Sequence, residues 1–71
     1  MWIYAGAGSA AYNSEHISRL YVEETGAGAA LKADISGKVT MIAYYESKAD
    51  AQAALADVME RHEAGGRVVR L

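Results

Sequence analysis

The sequence predicts an α+β fold, in which an antiparallel β-meander of about four strands carries one C-terminal helix on one face and ends in a short final strand. Three observations support this prediction. Residues 47–66 show a helical period between a start signal and a stop signal. Apolar runs separated by glycine-containing turns precede them. The chain has 71 residues, which suits a single small domain over residues 1–71.

The first predicted strand is residues 1–5, MWIYA, which are largely aromatic or β-branched and stop at Gly6. Trp2 and Tyr4 share one face of such a strand. Residues 5–15 have no apolar period and are rich in glycine, serine and asparagine. We therefore predict a loop there, with a turn of helix around Ser14.

This loop contains Gly6-Ala7-Gly8-Ser9-Ala10-Ala11, which matches the GxGxxA fingerprint of dinucleotide-binding sites. The fingerprint works by opening a helix inside a βαβ unit of about 30 residues, where backbone amides meet a pyrophosphate. Here the next predicted strand begins only a few residues later. We therefore interpret the motif as a flexible loop.

Three further strands follow. Residues 16–23 (HISRLYVE) carry apolar groups on both faces, which favours a central strand. Residues 24–28 (ETGAG) predict a hairpin connection. Residues 29–35 alternate apolar and polar side chains, which is typical of a half-buried strand, and Ser36-Gly37 predicts a tight turn into the fourth strand, residues 38–45 (KVTMIAYY).

Ser47 is a favourable N-cap, and Asp50 suits the positive end of a helix that begins near Lys48. Gly65-Gly66 can end the helix, and residues 67–71 (RVVRL) predict a final short strand at a sheet edge. A three- and four-residue spacing predicts that one helix face is buried, formed by Ala51, Leu55, Val58, Met59 and His62.

Composition narrows the class of function. Nine acidic against seven basic residues give a net charge of −2, which argues against double-stranded nucleic acid and anionic membranes as partners. No apolar run approaches the ~20 residues that a membrane span requires. The chain has no cysteine, which excludes disulfides and indicates a reducing, cytoplasmic location.

A domain of this size is expected to gain stability by association with a second copy. It buries only about 60% of the surface that its unfolded chain exposes, and no disulfide can compensate. In the fourth strand, Ile42 and Tyr44 share a face, and Leu20 or Tyr21 adds to it from a neighbouring strand. One helix covers one face only, so we expect the other face to pack on a second chain, sheet on sheet or edge to edge.

No catalytic or metal-binding arrangement emerges from the sequence. His62 has Val58 and Met59 at the helical spacings where a second metal ligand would lie. A relay of His16 with Ser14 and Asp50 needs a geometry that nothing in the sequence dictates. We expect no enzymatic activity, no metal ion and no cofactor.

Aromatic and basic residues are the remaining candidates for binding. If several fell on one face, single-stranded nucleic acid or a nucleotide could stack there, whereas scattered positions would indicate ordinary surface charge. Aromatic residues and arginine also anchor protein interfaces. The residues concerned are Arg19, Lys32, Lys38, Arg67 and Arg70, with Trp2, Tyr4, Tyr12 and Tyr44.

These observations predict a non-enzymatic protein-interaction module that acts as a small homodimer and binds a macromolecular partner. The alternative is a protein that binds a small nucleotide-like anion in a pocket at the dimer interface, lined by Trp2, Tyr12, Arg19 and Arg67. The candidate binding residues are Trp2, Tyr4, Tyr12, Arg19, Ile42, Tyr44 and Arg67.

The Met-Trp-hydrophobic start, the Ile-x-x-Leu-x-Val pattern of residues 17–22 and the Tyr-Glu-Ser helix entry at residues 45–47 resemble small phage and actinobacterial proteins. The resemblance implies a phage or bacterial source. It carries no activity and no residue role.

Overall fold

The computed structural model describes residues 1–6 and 9–71. Ala7 and Gly8 of the predicted GxGxxA loop lie outside the described residues. The elements, in chain order, are β1 (Trp2–Ala5), β2 (Ala10–Asn13), one turn of 3₁₀ helix (Ser14–His16), β3 (Ile17–Glu24), β4 (Ala29–Ile35), β5 (Lys38–Tyr45), α1 (Lys48–Glu63) and β6 (Val68–Arg70).

The six strands form two sheets of three. The antiparallel meander β3-β4-β5 is called the meander sheet, and the strands in the order β2-β1-β6 are called the terminal sheet. The helix α1 packs on the meander sheet and also contacts β6. The predicted α+β fold class is confirmed, with its antiparallel meander, its one helix and its short final strand. The meander itself has three strands, because β1 lies in the terminal sheet.

The terminal sheet joins the two ends of the described chain. Strand β1 pairs with β2 in the antiparallel sense and with β6 in the parallel sense. A parallel pair needs a long crossover connection, and here the whole meander and the helix lie between the two strands. Periodicity in the sequence carries no information on a pairing between segments so far apart.

The loop predicted for residues 5–15 is wrong over Ala10–Asn13, which forms strand β2. It pairs with β1 so that Ile3 lies opposite Tyr12 and Ala5 opposite Ala10. The alanine-rich segment has little intrinsic strand propensity. Its pairing with β1 provides the backbone hydrogen bonds that override this weak local preference.

Both predicted turns of the meander are present. The turn at Ser36 and Gly37 has φ angles of 52° and 82°, and a positive φ at both positions is what a two-residue hairpin turn requires. In the other turn, the Thr25 hydroxyl accepts hydrogen bonds from the amides of Ala27 at 3.3 Å and Gly28 at 3.0 Å. The Thr25 amide also donates to the Gly28 carbonyl at 2.8 Å, so both the backbone and the side chain of Thr25 hold the turn.

A bulge in β5 changes which side chains face the helix. Leu31 lies opposite Ala43 and Lys32 opposite Met41, so Ile42 has no partner in β4. The extra residue reverses the alternation of the strand at this point. Ile42 is only 5% exposed and belongs to the core. The predicted position of Ile42 on the uncovered face is therefore wrong.

The helix begins and ends as predicted. Ser47 Oγ accepts a hydrogen bond from the Asp50 amide at 3.1 Å. At the other end, Gly65 has a φ of 74°, its amide donates to the His62 carbonyl at 3.1 Å, and the Gly66 amide donates to the Arg61 carbonyl at 2.8 Å. These two bonds are the Schellman pattern that satisfies the last carbonyls of a helix.

The buried face of the helix is narrower than predicted. Ala51 and Val58 are buried, and Leu55 is partly buried against the core. Met59 is 46% exposed and His62 is exposed, so their predicted burial is wrong. The two residues lie near the C-terminal end of α1, where they line an open groove beside the start of β3.

One hydrophobic core is shared by both sheets and the helix. It consists of Ile3, Ala5, Leu31, Ala33, Ile42, Val58 and Val69. The terminal sheet contributes three of these side chains, the meander sheet three and the helix one. Each sheet therefore has one face toward the core and one face away from it.

Within the described residues, no helix has the length and hydrophobicity needed to cross a bilayer.

Candidate interaction surfaces

The outward face of the meander sheet carries an apolar stripe on its edge strand. Val39, Met41 and Tyr44 of β5 are 60%, 55% and 48% exposed, and the bulge at Ile42 places all three on the same face. We call this surface the meander face. By strand register its members are Arg19, Tyr21, Glu23, Ala30, Lys32, Asp34, Val39, Met41 and Tyr44.

The Tyr44 side chain is held over the turn between β3 and β4. Its hydroxyl shares a hydrogen bond with the Thr25 hydroxyl at 3.3 Å. A Cβ atom at Gly28 would lie 2.6 Å from the Tyr44 hydroxyl and would also overlap the carbonyl oxygen of Tyr45. The absence of a side chain at Gly28 therefore allows the ring to lie where it does.

Positive and negative charges on the meander face are equal in number. Lys32 Nζ lies 2.8 Å from a carboxylate oxygen of Glu23, and this hydrogen bond raises the pKa of Lys32 above its ordinary value of 10.5. The Arg19 guanidinium lies over the Tyr21 ring, 4.2 Å from its centroid. With Asp34, the face carries two cations and two anions.

The outward face of the terminal sheet is aromatic and basic. Trp2 is 47% exposed, and Arg70 lies over the ring of Tyr4, with its guanidinium 4.9 Å from the centroid. The Trp2 amide donates a hydrogen bond to the Arg67 carbonyl at 2.8 Å, which places the backbone of Arg67 next to that of Trp2. We call this surface the terminal face, formed by Trp2, Tyr4, Ala11, Asn13, Val68 and Arg70, with Arg67 at its border.

A groove of about 260 Å³ lies between the start of β3, the C-terminal half of α1 and β1. Its apolar lining is Met1, Ile3, Ile17, Leu20, Val58 and Met59, and its polar lining is Ser14, Ser18, Arg19 and His62. Because the Arg19 guanidinium is placed over Tyr21 on the meander face, the groove itself is mainly an apolar cleft with hydroxyls and an imidazole around it.

The structure separates the predicted binding residues into three groups. Trp2, Tyr4 and Arg67 lie at the terminal face, and Arg19 and Tyr44 lie on the meander face. Tyr12 is partly buried against the core, and Ile42 is buried within it.

The four residues predicted to line one ligand pocket are therefore dispersed within a single chain. Only Arg19 of that set lines the groove. Trp2 and Tyr12 lie in the terminal sheet with opposite orientations, because Tyr12 is paired with Ile3 rather than with Trp2.

Sequence reasoning missed Val39 and Met41 as surface neighbours of Tyr44, and it named Arg70 as a candidate without placing it beside Tyr4. A bulge in an apolar strand leaves no signal in the alternation, since Val39 to Tyr45 is apolar on both faces. The neighbourhood of Arg70 and Tyr4 depends on the parallel pairing of β6 with β1, for which no local pattern exists.

The titratable groups of the described residues do not indicate a catalytic or metal-binding site at either face or in the groove. Burial raises the pKa of Tyr45 above its ordinary value of 10.0, and this residue packs against the core rather than in the groove. Over residues 1–6 and 9–71, no cluster of three or more His, Cys, Asp or Glu could hold a metal ion.

Comparisons with protein-family models, curated proteins and solved structures give no match to this chain. Its function is therefore argued from the two faces and the groove.

Proposed function

We propose that the protein is a non-enzymatic interaction module that acts as a homodimer, with the meander face as the contact between two copies. One observation carries the proposal, namely the three adjacent apolar side chains of Val39, Met41 and Tyr44 at about half exposure or more. A contiguous exposed apolar patch of this kind is a mark of interaction sites on small proteins.

The charge balance of the meander face supports a second copy as its partner. In a two-fold dimer the same patch meets itself, so a face with net charge would repel its copy. Here Arg19 and Lys32 are matched by Glu23 and Asp34. The patch can therefore meet itself without an excess of either charge, while the apolar stripe of β5 packs on the aromatic side chain of Tyr21.

Dimerisation would leave the terminal face free for a macromolecular partner. The absence of cysteine from the sequence supports a reducing, cytoplasmic location, and the resemblance to small phage and actinobacterial proteins supports a bacterial or phage source. No residue is assigned a catalytic role in this proposal.

The test is the mass of the protein in solution, measured by sedimentation equilibrium across the micromolar range. The wild type is expected to be a dimer, and Met41→Asp is expected to be a folded monomer, because it places a carboxylate in the apolar stripe. Met59→Asp is the matched control, since Met59 is a comparably exposed methionine (46% against 55%) outside the meander face. It should remain a dimer.

Two results would contradict the proposal. A wild type that stays monomeric at high micromolar concentration removes the homodimer. A dimer that survives Met41→Asp and dissociates with Met59→Asp transfers the contact from the meander face to the groove side of the helix.

The groove supports the second candidate, binding of a small ligand. Its volume of about 260 Å³ exceeds the roughly 150 Å³ that accommodates benzene in an apolar cavity. An anion with an apolar body could place that body on Leu20 and Val58 and its charged group toward His62. Thermal unfolding in the presence of small aromatic and aliphatic carboxylates and of nucleotides tests this, because a ligand at 100 times its Kd adds about 2.7 kcal/mol to the free energy of unfolding. Unchanged unfolding with every anion would contradict it.

A further inference from the structure

The three strands of the terminal sheet contain no acidic residue, although the protein as a whole is acidic. All nine Asp and Glu residues lie between Glu15 and Glu63. Strands β1, β2 and β6 contain none of them, and the segment around β6 carries Arg67 and Arg70. Since these three strands form the terminal sheet, the terminal face is a basic patch on a chain whose net charge is −2.

The same face presents aromatic rings next to its cations. The Trp2 side chain is 47% exposed. The guanidinium of Arg70 lies against the ring of Tyr4, 4.9 Å from its centroid. Arg67 is an exposed residue immediately before β6, and its backbone carbonyl accepts a hydrogen bond from the Trp2 amide at 2.8 Å. Trp2 and Tyr4 are two residues apart in one strand, so their rings are separated by about 7 Å along the face.

We propose that the terminal face binds single-stranded nucleic acid, with a base stacked on Trp2 and phosphates held by Arg67 and Arg70. Aromatic platforms in a positively charged setting are the general means by which proteins bind single strands without sequence preference. In a duplex the base faces are already stacked on one another, so the indole has no free surface to meet. Electrostatics alone would not hold a duplex on a chain of net negative charge.

The shape of the face favours a strand over an enclosed small molecule. Small-ligand sites are concave and surround most of the ligand, whereas this face is the outward surface of a three-stranded sheet. The cavity described above lies on the other side of β1, at the groove lined by Ile3. An extended strand can lie across a flat surface, stack one base on Trp2 and leave its neighbouring phosphates near the arginines.

Trp2 provides the readout, because it is the only tryptophan of the chain. Its fluorescence is followed while single-stranded oligothymidylate is added at low salt, and quenching that saturates is expected. The logarithm of the association constant should fall with the logarithm of salt concentration with a slope of about −1.4, corresponding to two phosphates at about −0.7 each.

Matched arginine variants locate the site. The double variant Arg67→Gln and Arg70→Gln should abolish most of the salt dependence and weaken binding at least about tenfold at low salt. Arg61→Gln is the control, since Arg61 lies on the helix 3.8 Å from Asp57, and it should bind like the wild type. Trp2→Leu, followed by the anisotropy of a labelled oligonucleotide, should weaken binding by about 5- to 150-fold, the loss expected for one base stack. Circular dichroism confirms that each variant is folded.

Several outcomes would overturn the proposal. A duplex that quenches Trp2 as strongly as the single strand shows general attraction rather than stacking, and a mononucleotide that binds as tightly as the oligomer shows a small-ligand site. An acidic peptide that binds while oligothymidylate does not shows a protein partner. Absence of quenching by oligothymidylate at low salt also contradicts it. The monomeric Met41→Asp variant should bind like the wild type, so this test is independent of the homodimer.

Discussion

The meander face and the terminal face both lie opposite the shared core, and they differ in charge and in apolar content. The meander face combines an apolar stripe on β5 with two cations and two anions, of which Lys32 and Glu23 form an ion pair. The terminal face combines exposed aromatic rings with two arginines and no acidic residue in its strands. A neutral, self-complementary surface suits a second copy, whereas an aromatic surface with one sign of charge suits an anion. We therefore assign assembly to the meander face and ligand binding to the terminal face of the same small domain.

The two faces nevertheless depend on the same interior. Ile3 and Val69 of the terminal sheet are packed in one cluster with Leu31 and Ile42 of the meander sheet. Substitutions in the core should disturb both faces, whereas substitutions on either face should disturb only that face. The predictions below test this division, beginning with the largest effect.

The largest change in the free energy of unfolding is expected from substitution of one of two neighbouring residues of β5. Ile42→Asp buries an unpaired carboxylate in the core and should lower the free energy of unfolding by more than about 4 kcal/mol. This is comparable to the whole stability expected for 71 residues, so the variant should be unfolded. Met41→Asp changes an exposed side chain of the same strand and should cost less than about 1 kcal/mol. Urea unfolding followed by circular dichroism measures both.

This pair also tests the bulge itself. If Ile42→Asp were tolerated and dissociated the dimer, Ile42 would lie on the meander face, and the bulge of β5 at Ile42 would be wrong. If β5 had no bulge, its alternation would put Ile42 on the meander face, and Ile42→Asp would be tolerated. With the bulge, Ile42 lies in the core and the variant should unfold.

Local signals predicted most elements of this fold. Ser47 and Gly65 mark the ends of the helix, and Ser36-Gly37 marks a turn, because capping and positive φ are properties of a few adjacent residues. The alternation over residues 29–35 likewise indicated β4. In each case the physical cause lies within the segment.

The features that the sequence did not predict depend on distant partners. Strand β2 exists because β1 is available to pair with it, and β6 completes the terminal sheet from the other end of the chain. The bulge at Ile42 depends on how β5 pairs with β4. The candidate surfaces were mispredicted for the same reason, since one inserted residue exchanges Ile42 for Met41 on the uncovered face.

The second largest change is expected from Gly28→Ala, which should disturb the meander face and leave the terminal face unchanged. Gly28→Ala introduces a Cβ that overlaps the Tyr45 carbonyl and the Tyr44 hydroxyl, so it should cost about 1–3 kcal/mol and displace the Tyr44 ring. Dimerisation should weaken, while quenching of Trp2 by oligothymidylate should not change.

Gly26→Ala is the matched control for this turn. A Cβ at Gly26 meets no atom within 4 Å, so the variant should have wild-type stability and assembly. Equal destabilisation by the two variants would show that flexibility of the turn, and not the space beside Tyr44, is what Gly28 provides.

The third change is the loss of the helix N-cap, which should affect both faces equally. Ser47→Ala removes the hydroxyl that accepts from the Asp50 amide and should lower the free energy of unfolding by about 1 kcal/mol. Ser47→Asp retains an acceptor at the N-cap and should restore the stability. Since α1 contacts the meander sheet and β6, neither dimerisation nor oligonucleotide binding should change selectively. A selective loss of one activity would show that the helix supports one face more than the other.

The smallest effect is expected from alkaline pH, and it concerns the meander sheet. The ion pair with Glu23 raises the pKa of Lys32 above 10.5, and burial raises the pKa of Tyr45 above 10.0. For both groups the folded state holds its proton more tightly than the unfolded state, so their contribution is fully present below about pH 10 and is lost as the pH rises through the folded-state pKa values. The free energy of unfolding, measured by urea at a series of pH values, should therefore decline above pH 10. Tyr45→Phe should reduce this decline, and Lys32→Gln should reduce it further. An undiminished decline in the double variant would show that neither group causes it, and that the charge pair of the meander face contributes nothing measurable to the folded state.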